Sequence, residues 1–153
     1  MPPSAVKSWG YNGFGQLGNE SLTDSNAPVD VLWLEGVAKL SANTYSSFAT
    51  LDDGSVSAWG TNDVGQLGDD TLFNRTTSVP IDVLQGVTDI ASGVDHTVAA
   101  RDDGSVIAWG ADANAQLGDG TINSTRKPMT VLPPGSAVLR VATTELGKSS
   151  FAY

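Results

Sequence analysis

The 153-residue chain carries 17 acidic against 8 basic residues, a net charge of −9. That is the reverse of the basic footprint which neutralises nucleic-acid phosphates or an anionic membrane, so nucleic acid and membrane are excluded as partners and a basic or neutral one is favoured. There is no cysteine, which removes disulfides, thiolate metal sites and cysteine nucleophiles, while 17 Gly and 7 Pro among 40% apolar residues describe a globular chain of short strands and many turns.

The start, Met1-Pro2-Pro3, has neither the basic nor the apolar region of an export signal, and no apolar run approaches the ~20 residues of a membrane span. A cytoplasmic location is the default expectation. Residues 4–10, ending Lys7-Ser8-Trp9-Gly10, form the first predicted strand. Gly13-Phe14-Gly15-Gln16-Leu17-Gly18 has the form of a dinucleotide fingerprint. That mechanism needs a helix whose N-terminus receives the pyrophosphate, and Asn19-Glu20-Ser21-Leu22-Thr23-Asp24-Ser25 offers no amphipathic helix. Asp52-Asp53-Gly54 and Asp102-Asp103-Gly104 are hairpin turns, because Asp and Gly tolerate positive φ. Val87-Thr88-Asp89-Ile90-Ala91 and Thr97-Val98-Ala99-Ala100 are short strands either side of a turn at Gly93–His96, and Ser105–Trp109 is the next.

These elements repeat. Trp9, Trp59 and Trp109 recur every 50 residues. Ser8-Trp9-Gly10-Tyr11-Asn12 through Gly15-Gln16-Leu17-Gly18 returns as Ala58-Trp59-Gly60-Thr61-Asn62 through Gly65-Gln66-Leu67-Gly68. It returns again as Ala108-Trp109-Gly110-Ala111-Asp112 through Ala115-Gln116-Leu117-Gly118. Pro28, Pro80 and Pro128 read as equivalent, with a two-residue gain before Pro80 compensated by Trp33-Leu34 before Gly36. The third copy has Asp112 for Asn and Ala115 for Gly. It loosens after Pro134-Gly135, with a short insertion around Glu145-Leu146-Gly147, and recovers at Ser150-Phe151-Ala152. Short strands in a repeat of this length are the signature of β-propeller blades. Trp9, Trp59 and Trp109 are expected between blades, with Leu17, Leu67 and Leu117 beside them. Gln16, Gln66 and Gln116 are expected to hydrogen-bond loop backbone.

The pattern Trp-Gly-x-Asn-x-x-Gly-Gln-Leu-Gly, then a polar loop, a Pro, a Gly-Val strand and Asp-Gly-Ser, resembles the repeat of the regulator of chromosome condensation family. The resemblance implies all-β architecture, with blades of four antiparallel strands, usually seven in a ring. It leaves activity open, since members range from GTPase exchange factors through enzyme-inhibitory proteins to interaction modules.

One repeat domain, 1–153, is expected, with a closing strand at 4–10 and repeats at about 10–60, 60–110 and 110–153. Tyr153 aligns with Thr50 and Ala100, so the chain opens inside a hairpin whose missing strand is the one at its start. A three-blade arc would leave open edges. Head-to-tail homodimerisation, the ring completed by a second chain, is therefore expected; a fragment of a larger propeller is the alternative.

No catalytic, cofactor or metal site emerges. Asp52-Asp53, Asp69-Asp70 and Asp102-Asp103 match no calcium loop, the one histidine, His96, lacks co-ligands, and no nucleophile elbow or P-loop is present. Positions that differ between copies are expected to be exposed in loops: Tyr11/Thr61/Ala111, Phe14/Val64/Asn114 and Tyr45/Asp95. Tyr11, Phe14, Trp33, Tyr45 and Phe73 become candidate anchors for a partner, with Asp95 and His96 beside them. The expected function is a non-enzymatic scaffold binding a protein partner through blade-end loops. A carbohydrate-binding module is the alternative that aromatic, Asn/Asp-rich loops also suit. An enzyme with a composite site across blades is a third reading.

Overall fold

A computed structural model describes residues 6–144 and 147–153. Ser4 and Ala5 of the expected closing strand, and Glu145-Leu146 of the expected insertion, lie outside the described residues.

The apolar and β-branched runs between turn signals all form strands. In chain order they are β1 (Lys7–Gly10), β2 (Ser25–Asp30), β3 (Val37–Ala42), β4 (Ser46–Leu51), β5 (Val56–Gly60), β6 (Arg75–Pro80), β7 (Val87–Ser92), β8 (His96–Arg101), β9 (Val106–Gly110), β10 (Thr125–Leu132), β11 (Val141–Thr143) and β12 (Ser150–Ala152). Two complete antiparallel sheets result, β3-β4-β5-β6 and β7-β8-β9-β10, together with the pairs β1-β2 and β11-β12. The repeat makes β1-β2 the counterpart of β5-β6, the outer half of a blade. It makes β11-β12 the counterpart of β3-β4, the inner half. Strands β3, β7 and β11 touch across successive sheets, so they line the inner side of the arc.

The expected two-residue gain before Pro80 is absent. Strands β2 and β6 keep the 50-residue offset, as do Val31/Ile81 and Leu34/Leu84, all buried. Pro80 stands opposite Asp30 in the repeat, not opposite Pro28; proline is tolerated at both places because β2 and β6 are outer edge strands.

Because each blade is a simple meander, its connections alternate between two ends. One end, called upper below, carries loops 11–24, 43–45, 61–74, 93–95 and 111–124. The lower end carries 31–36, 52–55, 81–86, 102–105 and 133–140. The core lies between sheets. Trp59 packs with Val31, Leu34 and Ala49; Trp109 packs with Phe48, Leu67, Leu84 and Ile90; Leu117, Val98, Val106 and Val141 form the next interface. No helix among the described residues is long and apolar enough to cross a membrane.

Candidate functional site

The upper loops are held from within. Asn12 is fully buried. Its Oδ1 accepts from the Leu17 backbone N–H at 2.9 Å, and its Nδ2 donates to Ser21 O at 2.9 Å and Thr23 O at 3.2 Å. Asn62 repeats this with Leu67 N–H at 2.9 Å and Thr71 O at 3.1 Å. The glutamine two residues beyond each variable position accepts that residue's N–H: Phe14 to Gln16 at 3.0 Å, Val64 to Gln66 at 3.1 Å and Asn114 to Gln116 at 2.8 Å. The first two loops are thus closed polar frames whose variable side chains can change without disturbing them.

On the first frame stands an aromatic array. Tyr11 and Phe14 meet edge to face with centroids 6.2 Å apart, and Phe14 meets Tyr45 of the neighbouring 43–45 loop at 5.0 Å. Tyr11 is 54% exposed, while Phe14 and Tyr45 are half-buried. Gly13 makes room for the tyrosine, since a Cβ there would lie 2.2 Å from its hydroxyl oxygen. The equivalent places hold Thr61, Val64 and Asp95 in the second copy and Ala111 and Asn114 in the third, so this array occurs once. Thr61 and Ala111 correct the expectation that such positions are exposed: both of these small side chains are buried, whereas the larger Tyr11 ring at the same place is exposed.

The other expected site residues divide by place. Asp95 is at the upper end, but Lys148 Nζ lies 2.5 Å from its carboxylate. Burial raises the Asp95 pKa, and the bond and charge of Lys148 outweigh this and leave it below the usual carboxylate range. His96 opens β8 and is fully buried, which corrects its reading as a surface contact. Its Nε2 is 3.0 Å from Ser150 Oγ and its Nδ1 is 3.6 Å from Asp95 Oδ1. Burial holds its pKa below the ordinary value, against the pull of Asp95. Phe73 is exposed at the upper end. Trp33 is exposed at the lower end and does not join the others; Val83 is its exposed counterpart in the next repeat.

The sequence reading missed one row. Leu22, Leu72 and Ile122 hold the same place in successive upper loops, and all are exposed. Their signal was an apolar residue at a fixed distance after each Gln-Leu-Gly. Among the tryptophans, Trp59 and Trp109 are buried, and their Nε1 atoms donate to Gln16 O and Gln66 O, each at 2.8 Å. Trp9 differs from its expected inter-blade place, being 64% exposed, because no described strand pairs with the inner edge of β1. Among the described residues no cluster of three or more His, Asp or Glu side chains is arranged to hold a metal ion.

The profile of the regulator of chromosome condensation (RCC1) repeat matches residues 6–49, 53–100 and 103–148, and a second profile of the same repeat matches 87–116. Among solved structures, human WBSCR16 superposes with a TM-score of 0.79 at 22% identity over 95% of this chain and 39% of its own. Prp20p from Saccharomyces cerevisiae, described with its binding to Gsp1p and histones, gives 0.79 at 20% identity, over 95% of this chain and 38% of its own. Yeast RCC1 (Prp20) bound by Kap60 gives 0.81 at 20% identity, over 94% of this chain and 36% of its own. The chain therefore spans well under half the length of these structures, and at such identity the likeness concerns the fold. Comparison with curated proteins finds no match.

Proposed function

The chain belongs to the regulator of chromosome condensation (RCC1) repeat family, and from that premise we propose that it is a non-enzymatic propeller scaffold that binds a protein through its upper blade-end loops. The observation that carries this is the Tyr11–Phe14–Tyr45 array. One of the three repeated upper loops bears interlocked aromatics at the surface, and aromatic anchors of this kind dominate protein interfaces. One neighbour, solved twice, supports a protein partner: Prp20p is described with binding to Gsp1p and histones, and in complex with Kap60. The net charge of −9 favours a neutral or basic partner surface.

We also propose that the ring is closed head to tail by a second copy. The outer half-blade β1-β2 and the inner half-blade β11-β12 complement one another, which supports this reading. A chain that spans 36–39% of its solved neighbours also fits a segment of a larger propeller.

The test for the partner is a comparison of two baits. Wild type and the variant Tyr11→Ala/Phe14→Ala/Tyr45→Ala are immobilised at equal density and exposed to the same lysate and to a glycan array. Proteins retained by wild type and lost by the variant fit the proposal. Equal retention by both removes the array as the anchor, and array-dependent glycan binding would replace a protein by a carbohydrate ligand.

A further inference from the structure

The repeat provides an internal standard for how the outer rim of one blade meets the next. At the first junction, the upper loop 11–24 closes onto β6 through backbone. Glu20 N–H donates to Thr76 O at 2.9 Å, and Asn19 forms an antiparallel bridge with Thr77. Ser78 Oγ–H adds a bond to Leu32 O at 2.7 Å.

At the second junction, inside the chain between the two complete sheets, loop 61–74 meets β10. Neither backbone contact is repeated there among the described residues. Pro128 holds the place of Ser78 and has neither an N–H nor a hydroxyl to donate. Asp70 holds the place of Glu20 and reaches the next blade with its side chain. Its Oδ1 accepts Arg126 Nε–H at 2.8 Å, and its Oδ2 lies 3.0 Å from Lys127 Nζ. Thr76 and Thr77 stand where Arg126 and Lys127 stand, so the first junction has no such bridge. On each side of the bridge lies a cleft lined by Asp70 and Lys127. The upper one, about 530 Å³, adds Asp63, Val64, Leu72 and Arg126. The lower one, about 330 Å³, adds Asp82 and Pro128 among others.

The upper cleft has unlike walls. Loop 61–74 contributes the exposed apolar groups Val64 and Leu72, with Asp63 Oδ1 accepting from Gln66 Nε2 at 3.2 Å. Strand β10 contributes two adjacent cations, both more than half exposed, which share the single carboxylate of Asp70. Arg126 meets that carboxylate through Nε, and its two Nη nitrogens have no partner among the described residues. A guanidinium presents a planar fork that a carboxylate fits at two points, and an ammonium beside it adds a point charge.

We infer that the upper cleft at the second junction binds an acidic side chain carried on an extended segment of a partner protein. The carboxylate pairs with the Nη edge of Arg126 beside Lys127, and an adjoining aliphatic side chain lies against Val64 and Leu72. The occupant follows from charge: two cations answer to one carboxylate, which leaves them able to take a second. The chain as a whole carries −9, so the match is to a single carboxylate at this place and not to an acidic surface. The site is separate from the Tyr11–Phe14–Tyr45 array and stands without it.

The test titrates the 153-residue chain with three end-blocked peptides, Leu-Asp-Leu, Leu-Asn-Leu and Leu-Lys-Leu, followed by proton–nitrogen correlation spectra. The acidic peptide is expected to shift the amides of Val64, Leu72, Arg126 and Lys127 and the Arg126 Nε–H, while the other two leave them in place. Arg126→Gln weakens the acidic peptide about tenfold or more. Asp70→Asn tightens it, because the internal carboxylate no longer competes for the two cations. Far-UV circular dichroism checks that both variants, at exposed positions, keep the fold. The variant Tyr11→Ala/Phe14→Ala/Tyr45→Ala binds the peptide as wild type does, so the array and the cleft fail or stand separately. No shift at these residues up to about 10 mM acidic peptide overturns the site. An equal response to the Asp and Asn peptides overturns carboxylate recognition, and Asp70→Asn binding no more tightly than wild type overturns the shared cations on which it rests.

Discussion

Asp112 shows how much one atom matters inside a repeated frame. Asn12 and Asn62 accept with Oδ1 and donate with Nδ2 to loop carbonyls. Asp112 keeps the acceptor half, taking Leu117 N–H at 2.9 Å, but its Oδ2 is buried without a hydrogen-bond partner. A carboxylate oxygen cannot donate to a carbonyl, so the loop it should cap loses a bond and a buried acceptor is left unsatisfied. Asp112→Asn is expected to stabilise the chain by about 1 kcal/mol, read as a higher urea midpoint with unchanged slope. His96 gives a pH signature. Its pKa is held below the usual value of about 6.5 by burial. Between that value and the lower folded one, the unfolded chain binds the proton and the folded chain resists it, so stability falls as pH drops below about 6.5. His96→Ser, which places there the residue found at Ser46, removes this slope. Urea midpoints from about pH 8 to about pH 5 should fall more steeply for wild type; parallel curves would mean that His96 protonates freely when folded. The Asn and Gln positions were visible in the sequence as repeats, but the capping role of Asn12 was not, because its partners lie at Ser21 and Thr23, along a loop path that spacing does not reveal. The aromatic positions Tyr11, Phe14 and Tyr45 were legible as departures from the repeat. The burial of Thr61 and Ala111 was not, since exposure at a variable position depends on the size of the side chain that occupies it.

At the scale of the strand, the same residue type in the same register does different work depending on what lies beside it. Trp59 and Trp109 sit on strands flanked on both sides, bury their rings and each donate an indole hydrogen bond. Trp9 sits on β1, paired on one side only, and stays exposed. Replacing each in turn with Phe therefore separates position from residue type. Trp59→Phe and Trp109→Phe are expected to cost about 1–3 kcal/mol through the lost bond to a buried carbonyl and imperfect filling. Trp9→Phe is expected to change the unfolding free energy of the dilute single chain by less than about 0.5 kcal/mol. Three equal penalties would mean that Trp9 is packed in solution as its counterparts are. Strand existence and the Asp53-Gly54 and Asp103-Gly104 hairpins were legible because alternation and turn chemistry are local. The grouping of strands was less so. A repeat counted from 10 to 60 contains β2 from one sheet and β3, β4 and β5 from the next, since sequence similarity has no preferred phase while hydrogen-bonded pairing does.

For the molecule as a whole, the third copy carries a substitution that bears on how closely a further blade can approach. At the two internal interfaces, Gly15 and Gly65 face the outer strand of the next blade. A Cβ would stand 2.8 Å from Thr76 Cα at the first and 2.6 Å from Arg126 Cα at the second. Ala115 holds the third place, with φ +59° and its side chain exposed. Two consequences follow. A left-handed alanine is strained by about 1 kcal/mol, which Ala115→Gly relieves within the single chain. In a head-to-tail ring the residue facing Ala115 is Asn26 of the second copy, the counterpart of Thr76 and Arg126, and the methyl group keeps that outer strand farther away than at the internal interfaces. Ala115→Gly is thus expected to raise the urea midpoint at low concentration and also to tighten two-chain association about tenfold, the equivalent of about 1.4 kcal/mol. Sedimentation equilibrium on both proteins reads the second effect separately from the first. A gain in midpoint with unchanged association would mean that the outer strands of two copies do not meet at Ala115, against closure of the ring by a second copy.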